Sequence, residues 1–131
     1  MRYKALIDAA REARTKAYSP YSGFAVGVAL QTTSGDIHTG CNIENLSFGL
    51  TLCAERSAIA SAISSGDRDF TAIAIVADSK EPAVPCGACR QILSEFNPNF
   101  KIVCATLGGK VEEFDLATIF PRPDQGILDS R

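Results

Sequence analysis

Cys53, Glu55 and Arg56 stand almost side by side in LTLCAERSAIASA, residues 50–62, at the head of an alanine-rich helical run. A solvated helix start is served by Asp, Asn or Ser, and a buried one avoids unpaired charge. A thiol, a carboxylate and a guanidinium this close together therefore point to chemistry. A second cluster, PCGAC at 85–89, puts Cys86 and Cys89 before another helical pattern. Alone, such a pair reads as a thioredoxin-like redox couple or as half of a structural zinc site, whose second C-x-x-C this chain lacks. Joined by Cys53, it becomes three thiols at two helix starts. Structural zinc sites are closed by four protein ligands, whereas catalytic ones keep a position for water. Three sulfurs fit the second description.

Glu55 gives the cluster a direction. Bound zinc lowers the pKa of a water from about 15.7 to roughly 7, and a carboxylate two residues from a ligand can take that proton and pass it on. The plainer reading is an acid that suits the positive end of a helix dipole. Arg56 answers a charge problem, because three thiolates on a divalent ion leave a negative centre that is a weaker acid for its water. A guanidinium beside Cys53 can hydrogen-bond the sulfurs and draw off charge. Its plainer reading is a salt-bridged surface arginine.

The chain of 131 residues is 46% hydrophobic and 21% charged, which fits one globular domain, 1–131, with a modest core and a tail from about 122. No window approaches the roughly 18 unbroken apolar residues of a membrane span. MRYKALIDAAREARTKA has no apolar centre like that of a signal peptide, so a cytoplasmic address and no membrane partner are expected. A net charge of −2 with scattered Lys and Arg argues against a nucleic-acid polymer and suits a small substrate. Five cysteines in a reducing compartment disfavour a disulfide framework. Cys41 and Cys104 lie in apolar, strand-like runs and read as buried packing, while His38 reads as a hairpin surface residue.

These groups must be held by a scaffold, and the periodicity supplies one. Residues 2–17 place Leu6, Ala9, Ala10, Ala13 and Ala17 on one helical face, with Ser19-Pro20 as the break. FAVGVALQT, 24–32, alternates large and small and predicts a half-buried strand, turned by Ser34-Gly35-Asp36 into a second strand at 37–41. A helix over 52–65 ends at Gly66, and FTAIAIVA, 70–77, reads as a central strand covered on both faces. After Pro82 and Pro85 comes a helix over 86–96 with Ile92, Leu93 and Phe96 towards the core. Strands at 100–106 and 110–114 follow. This order implies an α/β fold: a three-layer α/β/α domain around a mixed, roughly five-stranded sheet.

CAE at 53–55 with PCGAC at 85–89 resembles the zinc nucleoside deaminases in their three-cysteine form. With YSPYSGFAVGVAL at 18–30, GCNIEN at 40–45, CAERSAI at 53–59 and PCGACRQIL at 85–93, the chain is similar to the small homotetrameric cytidine deaminases from about residue 4 to residue 121. The resemblance implies one zinc ion per chain on Cys53, Cys86 and Cys89, with Glu55 as the proton shuttle in hydrolytic deamination of cytidine or deoxycytidine. It implies that Asn42 and Glu44 hydrogen-bond the ribose, that Phe24 packs on the pyrimidine and that Gln91 supports the second helix start. It also implies a homotetramer with shared active sites, for which Phe48 and Leu50 are candidate contacts. One departure is IFPRPD, 119–124, where Asp124 falls at the place of a family aromatic that covers a neighbouring subunit's site. Phe120 or Ile127 would then do the covering, or the pocket would be more open and tolerate modified cytosines. Two rivals remain: a thiol redox protein using Cys86 and Cys89, and a zinc-binding module without turnover.

Overall fold

The computed structural model describes residues 2–123; Asp124 and Ile127 lie outside them. Five strands form one mixed sheet in the order β2-β1-β3-β4-β5. They are β1 (Val26–Thr32), β2 (Ile37–Cys41), β3 (Phe70–Ala77), β4 (Lys101–Thr106) and β5 (Val111–Asp115). Among the described strands only β3 and β4 run parallel, Ala72 opposite Lys101 through Ala77 opposite Thr106, and the other neighbours are antiparallel. The parallel pair needs a crossover, and α3 (Gly87–Phe96) provides it.

The helices divide between the faces. α1 (Lys4–Arg14) lays Leu6, Ile7 and Ala10 on Ala29, Ala72, Ala74 and Val103. On the other face, Ala54, Ala58, Ile59 and Ala62 of α2 (Ala54–Ser64) and Leu93 of α3 pack against Val28, Leu30, Ile73, Ile75 and Ile102. This is the three-layer arrangement expected from the order of elements. β3, sandwiched at the centre, is buried at every residue except Thr71.

β1 differs from its sequence expectation. It is not half-buried, because Gly27, Val28, Ala29 and Leu30 are all covered. The small residues of its alternation face a helix instead of water. A Cβ at Gly27 would lie 2.0 Å from the Ala10 carbonyl oxygen and 2.4 Å from the Arg14 nitrogen. Glycine there lets α1 settle directly on the sheet. Gly40 in β2 does the same on the opposite face, where a Cβ would lie 2.3 Å from the Ala58 nitrogen of α2.

Other expectations shift by smaller amounts. α1 stops at Arg14, and three-residue bonds from Lys16 to Ala13 and from Ala17 to Arg14 tighten the exit before Ser19-Pro20 is reached. Ile92 is 37% exposed, whereas Leu93 is fully buried and Phe96 partly so. Cys89, Leu93 and Phe96 recur at helical spacing and take the core face, which leaves Ile92 at its edge. Cys104 is buried as expected, but Cys41 on the edge strand is only half-buried. His38 is more than a surface residue, since its Nε2 lies 2.6 Å from Asp67 Oδ2. A short helix, α4 (Leu116–Ile119), has no counterpart in the sequence expectations; its first residue, Leu116, is fully buried.

Candidate active site

The two helices that carry the three cysteines begin in the same way. Cys53 is the N-cap of α2 and Cys86 the N-cap of α3, both in extended conformation, and neither accepts a capping bond through its side chain. Cys89 follows three residues after Cys86, where an N-cap and the third helical residue are neighbours. The Sγ atoms of Cys53, Cys86 and Cys89 all lie within 4.8 Å of one another. A tetrahedral zinc with bonds of about 2.3 Å holds its sulfurs roughly 3.8 Å apart, so the cluster fits this ion with little adjustment.

The electrostatics ask for a cation. Burial pushes the Cys89 thiol far above its ordinary value, and Glu55, Cys53 and Cys86 push it further. Cys86, more exposed, is held below the ordinary thiol value by the backbone N–H of Cys89. A crowd of acidic groups in which the innermost resists ionisation is relieved by a divalent ion in its midst. Cys104, deeper in β4, is pushed up to about 12, mainly by burial. It remains an inert core thiol.

Glu55 occupies the first turn of α2 and is only 7% exposed. Burial raises its carboxyl above the ordinary glutamate range, against the pull of its own backbone N–H, Arg56 and the Cys89 thiol. The plain reading of Glu55 as a solvated dipole partner therefore fails. Arg56 Nη2 donates to Cys53 Sγ at 3.3 Å, so it is not a salt-bridged surface residue. Its Nε is buried without a hydrogen-bond partner among the described residues.

GCNIEN is brought beside the site by a pairing the sequence did not reveal. Ile43 exchanges both backbone hydrogen bonds with Leu52, the residue before Cys53, while Tyr18 bonds to Asn42 and Glu44 on the other side. Asn42 is buried; its Oδ1 accepts from Val26 N–H at 2.9 Å and its Nδ2 donates to the Phe24 carbonyl at 2.8 Å. Glu44 Oε1 accepts from the N–H groups of Tyr21 and Ser22, and Oε2 accepts from the Ser22 hydroxyl. That hydroxyl bond is the main cause that holds Glu44 below the ordinary glutamate pKa. Both residues thus brace the 21–26 loop that carries Phe24. Phe24 precedes β1 and is 42% exposed, so it is not a strand core residue. Gln91 lies two residues past Cys89, about 200° around the helix. It is exposed and lines a surface groove with Ser94, Glu95, Pro98 and Pro123. Phe120 packs partly buried against its own chain's core.

Residues 1–106 match the cytidine and deoxycytidylate deaminase zinc-binding region. The chain is 47% identical over 117 residues to a cytidine deaminase of Sporosarcina psychrophila, covering 88% of this chain and 86% of the relative. It is 49% identical over 117 residues to one of Halalkalibacterium halodurans, covering 88% and 89%. It is also similar to the crystal structure of cytidine deaminase from Burkholderia pseudomallei, with a TM-score of 0.89 and 46% identity over 93% of this chain and 98% of that one. Three converging sulfurs, a buried glutamate on the same turn and likeness along most of the chain lead to one assignment: the chain belongs to the zinc-dependent cytidine deaminase family.

Proposed function

We propose that Cys53, Cys86 and Cys89 hold the zinc of this deaminase and that Glu55 moves its protons. The reaction converts cytidine or deoxycytidine and water to uridine or deoxyuridine and ammonia. The observation that carries this reading is the convergence of three sulfurs within 4.8 Å beside a buried carboxyl with a raised pKa. Zinc, when bound, supplies the Lewis acidity that makes water a nucleophile near neutral pH.

Glu55 takes a proton from the attacking water and gives it to N3 of the pyrimidine, which opens C4 to attack. In the tetrahedral adduct at C4, Glu55 delivers the water's second proton to the amino group. The C4–N4 bond then breaks, ammonia leaves with its electron pair, and the oxygen closes to the carbonyl. Burial equips Glu55 for both halves, because a desolvated carboxylate is a stronger base and its acid form persists to higher pH.

Asn42 keeps one N–H and one lone pair beyond its bonds to the loop, and Glu44 keeps acceptor capacity; we assign these to the sugar hydroxyls. The exposed Phe24 ring offers a face for the base, and Gln91 has a supporting role at most. Leu46, Phe48 and Leu50, between 71% and 79% exposed just ahead of Cys53, support a homotetramer with shared sites. Residues 1–131 act as one domain in the cytoplasm, on free nucleosides. Among the described residues no helix is long and apolar enough to cross a membrane. The redox and non-catalytic readings are not favoured, since the family assignment extends over both cysteine motifs.

Zinc content and the loss of cytidine absorbance, measured together on wild type and Glu55→Gln, test this reading. Zinc-loaded wild type that turns over no pyrimidine nucleoside would sink it. Comparing N4- and 5-substituted cytidines on wild type and Asp124→Phe tests the open-pocket reading, which fails if both proteins prefer unmodified cytidine equally.

A further inference from the structure

Arg90 directly follows the last cysteine of PCGAC, and its side chain bridges two backbone carbonyls. Nε donates to the Pro85 carbonyl at 2.8 Å, and Nη1 donates to the Ile119 carbonyl at 2.9 Å. Its own backbone N–H bonds to the Cys86 carbonyl at 2.9 Å. Pro85 is fully buried and stands immediately before the α3 N-cap. The side chain of Arg90 therefore grips the peptide that leads into Cys86, while its backbone N–H makes the ordinary helical bond to the Cys86 carbonyl. The second arm of the fork reaches 29 positions along the chain to the last residue of α4, whose end carbonyls have no partner within the helix. Ile119 and Phe120 are themselves packed against the cluster that contains Ala54, Ala58 and Leu93.

A guanidinium is suited to this task because its donors are fixed in one plane and it carries charge at every working pH. A carbonyl held at Pro85 sets the peptide plane that leads into Cys86, and so the direction of its Cα–Cβ bond. We propose that Arg90 is a positioning residue for the zinc centre: by clamping the Pro85–Cys86 turn to the end of α4, it makes α4 part of the apparatus that retains the metal. This rests on the assignment of Cys53, Cys86 and Cys89 as zinc ligands. Arg90 acts through Cys86 and is given no contact with substrate.

The test measures the rate at which zinc-loaded protein releases its metal to excess chromophoric chelator, for wild type, Arg90→Ala and Arg90→Lys. Melting midpoints of the apo and zinc-loaded forms accompany each rate. Groups that orient metal ligands change affinity by roughly 10–100-fold when removed. Arg90→Ala is expected to release zinc about 10-fold faster or more, and the rise in midpoint on zinc loading should shrink. Arg90→Lys keeps the charge but not the fork, and should fall between. Release from Arg90→Ala at the wild-type rate, with equal midpoint losses in apo and loaded forms, would reduce Arg90 to a brace of the fold and overturn the proposal. If Arg90→Ala does not fold, Arg90→Lys decides, and a wild-type rate there overturns it. Wild type that binds no zinc removes the ligand assignment and the proposal together; loaded wild type with unchanged variants removes the proposal alone.

Discussion

Arg56 and Cys89 occupy the same place on their two helices. Each is the third helical residue after a cysteine N-cap, Arg56 after Cys53 and Cys89 after Cys86. On α3 that place adds a third sulfur to the cluster, and on α2 it sends a guanidinium back to the N-cap sulfur at 3.3 Å. A thiol at residue 56 would offer four cysteines to one metal, the closed set of a structural site. Arg56→Cys is therefore expected to hold zinc more tightly than wild type and to lose cytidine turnover. Arg56→Ala should release zinc roughly 10-fold faster or more. Chelator competition and cytidine absorbance check both variants, and wild-type behaviour in both would remove Arg56 from the account.

Glu55→Gln preserves shape and removes the carboxylate proposed to carry the protons. Zinc should stay at the wild-type level while turnover falls by roughly 10²–10⁴-fold, the usual worth of a positioned acid–base group. Metal analysis beside a rate assay reads both numbers. Lost zinc together with lost rate would mean that the carboxylate holds the site and does not serve it.

The Ser22 hydroxyl is the main group that depresses the Glu44 pKa. A depressed carboxyl contributes stability that is present above its unfolded value and disappears as pH falls through its folded one. Below pH 4.5, the ordinary value, the 21–22 loop should loosen as Glu44 takes up a proton. Ser22→Ala should move the Glu44 midpoint up towards the ordinary value, measured by NMR of its carboxyl carbon. An unmoved midpoint would mean that the two backbone N–H groups alone hold it.

Gly27 and Gly40 make opposite claims about the site. A Cβ at either position meets helix backbone, and such overpacking costs about 1–3 kcal/mol or more. Gly27→Ala displaces α1, which carries none of the site residues, so folded protein should keep normal zinc retention. Gly40→Ala pushes on α2 next to Ala54 and Ala58, and should release zinc faster as well as melt earlier. Equal release from the two variants would contradict the assignment of α2 as the platform.

The exposed Phe48 and Leu50 give a test of assembly. Replacing both with Asp should shift the protein towards smaller species in sedimentation velocity, with cytidine turnover falling alongside. An unchanged assembly would place the interface elsewhere.

What the sequence made legible follows from how each signal arises. β3 is legible to its ends because burial on both faces makes an unbroken apolar run. The approach of the three sulfurs is legible because Cys53, Cys86 and Cys89 all fall at the starts of helical patterns. The alternation of Gly and Ala with Val in β1 looks like a wet face, and only the position of α1 shows it to be a packed one. The Ile43–Leu52 pairing, which sets GCNIEN beside Cys53, has no periodic signature. Arg90 leaves no signature in the sequence because its partners are backbone carbonyls, which any sequence supplies. α4 is four residues long, too short for helical periodicity to register.

The interval between Cys53 and Cys86 contains the whole of α2 and the central strand β3. A metal bound at both ends therefore closes a ring of about 33 residues around the middle of the sheet. For a covalent link across such a ring, the chain-entropy estimate gives about 3–4 kcal/mol. An ion held there would also act as a cross-link on the unfolded chain, and losing it would return conformational freedom to the strand that pairs with both β1 and β4.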